Sequence, residues 1–167
     1  MTTAAPRMLE GLRVVDLTTV IFGPYCTQIL ADLGAEVIKV EPPEGDSIRI
    51  IGTPPVTPLM SPVDLRLNRG KRSVDWDLKS EEGQAAMRRL IEGSDIFIHN
   101  VRSDAIARAA LDYDTVRAIR PDVVYVHCTG FDQRGPYAGL QAYDDIIQAD
   151  SGIASLPPNG DGNPQPP

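Results

Sequence analysis

The chain has 167 residues, 42% hydrophobic and 23% charged, so it is long enough to bury a core and ordinary in its charge content. A formal net charge of −7 excludes nucleic-acid binding driven by overall charge, though a local basic patch stays open. Cys26 and Cys128 make neither a zinc spacing nor a disulfide framework, and no run approaches about 18 apolar residues. The opening lacks the apolar stretch of a signal peptide. The expectation is a cytoplasmic protein with no metal, no membrane partner and no nucleic-acid partner.

Residues 12–17 are short, β-branched and apolar, which predicts a strand. Gly23-Pro24 then suits a first helical turn, Ile29, Leu30 and Leu33 fall at helical spacing, and Gly34 stands where a helix stops. A second strand follows at 36–40. Strand, helix and strand in so short a span predict a parallel crossover and an α/β fold. Residues 42–62, rich in proline and glycine, predict an extended connector with little regular structure.

A third strand is predicted at 73–78. Ser80 can cap the next helix, with Glu81 and Glu82 well placed against its dipole; Met87, Leu90 and Ile91 form its buried stripe and Gly93 ends it. Residues 95–99 predict a strand, 103–110 and 112–120 two short helices, and 122–128 a further strand. A loop through Gly130, Gly135 and Pro136 leads to a last helix at 143–152. The outline is a Rossmann-like, doubly wound parallel sheet, in which ligands sit at the carboxyl ends of the strands. From residue 156 the chain is Pro/Gly-rich and cannot bury anything, which reads as a loop at a truncation or split-gene point, or as a disordered tail.

The turn after the first strand has one glycine, and neither a dinucleotide fingerprint nor a P-loop lysine occurs. A phosphorylated ligand would therefore need side-chain cations. Arg66, Arg69, Lys71 and Arg72 crowd seven residues, and Arg102 and Arg108 follow the 95–99 strand. These suit a ligand with several phosphate charges. Taken alone, the 66–72 run reads sooner as an ordinary solvated set than as a phosphate site. His99 and His127 have no spaced carboxylates for a metal. His127 and Cys128 point to opposite strand faces and make no nucleophilic pair. Asp16 reads as a hydrogen-bonding residue at the helix entry, and Tyr143-Asp144-Asp145 as a helix cap.

Five groups of segments stand in order across 8–155: Leu9-Glu-Gly-Leu-Arg-Val-Val-Asp-Leu-Thr with Gly23-Pro24, Leu33-Gly-Ala-Glu-Val-Ile-Lys-Val-Glu41, Asn68-Arg-Gly-Lys-Arg-Ser73 with Asp77-Leu78-Lys79, Ser94-Asp95 to Asn100-Val101-Arg102, and Thr129-Gly130-Phe131 with Gly135-Pro136-Tyr137 and Tyr143-Asp144. Taken together they resemble family III CoA-transferases (the CaiB/BaiF group, with formyl-CoA and carnitine CoA-transferases and α-methylacyl-CoA racemases). The resemblance implies that 1–155 is the N-terminal part of an incomplete CoA-binding large domain and 156–167 a loop or tail. It further implies an interlocked homodimer of the full-length protein, or a separately encoded C-terminal half.

By the same resemblance Lys71, Asn100, Val101, Arg102 and Arg108 contact coenzyme A, with Arg69 and Arg49 beside them, and Tyr143 and Asp144 lie near the thioester. The implied reaction transfers coenzyme A between an acyl-CoA thioester and a carboxylic acid through an aspartate nucleophile expected beyond Pro167, so no catalytic residue is assigned. The alternative is a non-catalytic CoA-binding module or split-gene subunit. Racemases carry a histidine where this chain has Tyr143, and a phenol with a pKa near 10 is a poor proton shuttle at neutral pH. Ile21 replaces a glutamine of formyl-CoA transferase, and Pro42 replaces an arginine.

Overall fold

Five segments become strands: β1 (Arg13–Leu17), β2 (Glu36–Glu41), β3 (Arg72–Asp75), β4 (Ile96–His99) and β5 (Val124–His127). In the computed structural model, which describes residues 7–52 and 57–155, every pairing is parallel and the order is β3-β2-β1-β4-β5. The central strands are buried on both faces, as continuous β-branched runs in a parallel sheet should be. From β1 the chain builds outward on one side through β2 and β3, then returns to place β4 on the other side. That reversal opens a crevice at the carboxyl ends of β1 and β4.

The helices are α1 (Phe22–Asp32), α2 (Pro62–Leu67), α3 (Glu81–Glu92), α4 (Ser103–Arg108), α5 (Tyr113–Ile119) and α6 (Asp144–Asp150). Strand alternation sorts the core into two layers. On one face Val15, Leu17, Val40 and Phe97 pack with Met87 and Ile91 of α3, Ile106 of α4 and Val116 of α5. On the other, Val14, Val37 and Ile98 pack with Ala31 of α1 and Ala35. The predicted caps are present: Ser80 Oγ accepts from Gly83 N at 3.0 Å, and Gly34 follows α1 at φ +107°.

Two expectations need correction. The 42–62 connector holds a 3-10 turn (Ser47–Ile50) capped by Asp46, and at its end α2 begins. Ser61 Oγ accepts from Asp64 N at 3.0 Å, with Pro62 in the first helical turn. Ser-Pro-x-Asp is a helix start in itself, hidden here by the surrounding prolines. The third strand is also shorter than 73–78. Trp76 N still donates to Glu41 O, but Asp77 then turns the chain, its carbonyl and carboxylate accepting from Ser80 N and Lys79 N.

The chain divides after Cys128 into two compact units. The first carries the whole sheet. The second holds α6 and the 3-10 turn Ile153–Ser155, and α6 has no buried residue. The Pro/Gly-rich 156–167 segment lies outside the described residues. No described helix is long and apolar enough to cross a membrane.

Candidate functional site

The crevice between β1 and β4 is bounded by the β1–α1 loop and the β4–α4 loop, and Asn100 ties them together. Its Oδ1 accepts from Thr19 N and its Nδ2 donates to Thr19 O, both at 3.0 Å. One residue on, Val101 O accepts from His127 Nε2 at 2.9 Å. The predicted coenzyme contacts Asn100 and Val101 thus sit where the topology places ligands. Val20 stands at φ +68°, a left-handed conformation that a β-branched residue rarely adopts. Val20, Ile21 and Phe22 are exposed at the mouth of the crevice. Gly23 lets α1 approach closely, because a Cβ there would lie 2.4 Å from Thr18 Cβ.

Beneath that loop lie two buried ion pairs. Asp16, from β1, accepts from Thr18 N at 3.0 Å, Thr18 Oγ1 at 2.5 Å, Thr27 Oγ1 at 2.6 Å and Lys71 Nζ at 2.9 Å. Asp16 is therefore the hydrogen-bonding residue at the helix entry that its position suggests. Lys39, beside Asp16 in the sheet register, donates to Asp46 Oδ2 at 3.0 Å and Thr18 O at 2.7 Å. Asp46 in turn accepts from Val20 N at 3.2 Å. Burial pushes the Lys71 ammonium below its ordinary pKa, with Asp16 opposing that shift.

The 66–72 cations do not form one patch. Arg69 pairs with Asp32 of α1, Lys71 is buried against Asp16, Arg72 reaches Glu36 on β2, and Arg66 ends α2. Arg49 forks onto both oxygens of Glu41 and also reaches Asp64 at 3.4 Å. Burial alone would raise the Glu41 pKa; Arg49, the Ser73 hydroxyl and Asp46 N–H outweigh it and bring it down to about 2. This pair lines a cleft of about 230 Å³ with Pro42, Gly45, Ser73 and Asp75, at the carboxyl ends of β2 and β3. Arg102 and Arg108 flank α4 with side chains 66% and 68% exposed, both on Asp104. Tyr143 and Asp144, in the second unit, are exposed at the start of α6, where Asp144 accepts from Gln148. Tyr143 supplies no side-chain cap.

Sequence reasoning missed an aromatic cluster at the ends of β4 and β5. The Tyr125 hydroxyl donates to Leu111 O at 3.0 Å, so it accepts from His99 Nε2–H at 2.7 Å. His99 is fully buried and stacks on His127 at 4.2 Å between centroids. Burial first, and then the charge of His127, lowers the His99 pKa to about 3. The signal was the paired register His99–His127, invisible until the strands were known to be neighbours. Cys128 packs in the opposite layer, beside Val126. Among the described residues no cluster of His, Cys, Asp and Glu could hold a metal.

A parallel sheet of this order, with polar anchors and exposed arginines at its switch point, is an open α/β sheet of the kind in which ligands meet the carboxyl ends of the strands. A profile of CoA-transferase family III matches residues 9–167, and the chain belongs to that family. It is 44% identical to succinate–glutarate CoA-transferase of Agrobacterium fabrum over 93% of this chain and 40% of that enzyme. Identity to acetyl-CoA:oxalate CoA-transferase of Acetobacter aceti is 39%, over 98% of this chain and 42% of that enzyme. A CaiB/BaiF family protein from Brucella suis superposes with a TM-score of 0.90 at 41% identity, covering 95% of this chain and 43% of that one. The chain spans about two-fifths of the length of these relatives.

Proposed function

We propose that this chain binds coenzyme A at the carboxyl ends of β1 and β4, and that it serves the transfer of coenzyme A between an acyl-CoA thioester and a carboxylic acid. The observation that carries the reading is the placement of Asn100, Val101, Arg102 and Arg108 on one short segment at the switch point, within a family III sequence. Exposed guanidinium groups match phosphate oxygens in geometry and charge. Arg69, and Arg49 in the β2–β3 cleft, extend that set.

In the reaction a carboxylate attacks the acyl-CoA carbonyl, the C–S bond breaks and CoA leaves as thiolate. The thiolate then attacks the enzyme-side carbonyl of the acyl-enzyme anhydride so formed, releasing the donor acid and leaving an enzyme–CoA thioester. The acceptor carboxylate displaces the thiolate to give a second anhydride, and thiolate attack on its acceptor carbonyl releases the new CoA ester and frees the carboxylate. We assign no nucleophile within residues 1–167 and look for the aspartate beyond Pro167, on the same polypeptide or on a separately encoded half. We further read Tyr143 and Asp144 as thioester residues, the full-length assembly as an interlocked homodimer and the location as cytoplasmic. Because the chain spans two-fifths of its relatives, a CoA-binding module without catalysis is the second reading.

Titration calorimetry with CoA tests the proposal. Arg102→Ala and Arg108→Ala should each weaken binding by about tenfold, the scale of one charge-assisted contact. Unchanged affinity in the double variant would remove the site. CoA binding together with acyl-CoA:acid transfer by the chain alone would reject the second reading.

A further inference from the structure

Lys71, which the sequence offers as an anion-binding cation, is hidden, as is Lys39, and both close on the same loop. We infer that Lys71 with Asp16, and Lys39 with Asp46, are positioning residues that hold the 18–24 loop in shape from beneath, and that Lys71 is not a phosphate ligand. The role rests on the coenzyme reading above for the ligand that the loop serves.

Lys71 has three N–H donors, and all three are engaged: Asp16 Oδ2 at 2.9 Å, Pro24 O at 3.0 Å and Asn68 Oδ1 at 2.8 Å. Its side chain is 1% exposed and that of Asp16 is 0% exposed. To meet a phosphate in solvent, the ammonium would have to leave a buried carboxylate uncompensated, among the most costly changes available to a fold. The Lys39–Asp46 pair is equally enclosed.

What the pairs hold is consistent. Lys71 takes Pro24 O, Lys39 takes Thr18 O, Asp16 takes Thr18 N and Asp46 takes Val20 N, while Asn100 takes both backbone groups of Thr19 from the β4 side. The loop is thus fixed at both ends and in the middle. A β-branched residue at φ +68° persists only where its surroundings over-determine it, and these contacts do so at Val20. Of the cations predicted to contact the coenzyme, those left for phosphate are the exposed Arg102 and Arg108, with Arg69 and Arg49.

The test uses this chain with Lys71→Met and with Asp16→Asn/Lys71→Met, read by hydrogen exchange of residues 18–25 and by CoA titration at several salt concentrations. Lys71→Met should speed loop exchange and weaken CoA by about tenfold or more, since Asp16 loses its partner. The double variant, which removes both charges, should restore slow exchange. Its affinity should return to within about threefold of the unsubstituted chain, with the same salt dependence, because a buried pair is often replaced by neutral groups at little cost. If Lys71→Met does not fold, the double variant alone decides. Unchanged loop exchange in Lys71→Met overturns the brace. So does a double variant that stays weak and loses salt dependence, the mark of a missing phosphate contact. No CoA binding by the unsubstituted chain would instead overturn the coenzyme reading and the positioning role with it, while loop exchange still decides the brace.

Discussion

His99 is held neutral at the end of β4, with its Nε2 proton on Tyr125 and its Nδ1 buried without a partner among the described residues. In the unfolded chain an imidazole takes up a proton as pH falls through about 6.5. Folded His99 does not do so until about pH 3, and His127 is displaced in the same direction by its own burial. Proton uptake therefore favours unfolding. The stability tied to His99 is whole above about 6.5 and is lost progressively as pH falls toward 3. His99→Phe keeps the ring and removes the orphaned nitrogen, while the Tyr125 hydroxyl keeps Leu111 O. It should leave stability at pH 7 within about 1 kcal/mol and flatten the fall in melting temperature between about pH 6.5 and pH 4. An undiminished slope would show that other groups carry the acid sensitivity. Residue identity alone also misleads at the cations: Lys71 and Arg102 read alike as phosphate contacts, yet one is enclosed and the other open, because a long side chain's fate depends on which carboxylate the fold brings to it.

At the scale of elements, α3 shows how local rules and tertiary contacts combine. Ser80→Ala removes the cap from Gly83 N and should cost about 1 kcal/mol in urea unfolding. Gly83→Ala would be favourable by helix propensity alone. Here a Cβ would lie 2.1 Å from Asp77 O, so the substitution should destabilise by about 2 kcal/mol or more. A melting temperature raised by Gly83→Ala would mean that the Asp77 turn yields easily. The capping motif of α3 was legible because it is local in sequence. The close approach to Asp77 was not, since it depends on how the turn after β3 folds back.

For the whole molecule, the cooperative core belongs to the residues up to Cys128, where both buried layers lie. Met87 is fully buried between α3 and the sheet, and Met87→Ala should cost about 3 kcal/mol. Ile146 on α6 is 41% exposed in a helix with no buried residue, so Ile146→Ala should change the main transition by no more than about 0.5 kcal/mol. Equal losses from the two substitutions in thermal unfolding would show that the second unit shares the cooperative core. The α/β class and, α2 and the Ser47–Ile50 turn apart, the succession of strands and helices along the chain were legible because short apolar runs alternate with helical periods.

Periodicity, turn residues and ordered motifs along the chain determined the α/β class, four of the five strands nearly to their ends, the main helix caps and the family. The elements and caps depend on neighbours within a few residues, and the family on the order of short motifs along the chain, both of which a sequence displays. Tertiary structure decided which cations are buried, which carboxylates lie beneath the β1–α1 loop, and that His99 and His127 stack. Those outcomes bring together residues as far apart as Asp16 and Lys71, and strand register and burial, rather than residue type, set which charges meet water.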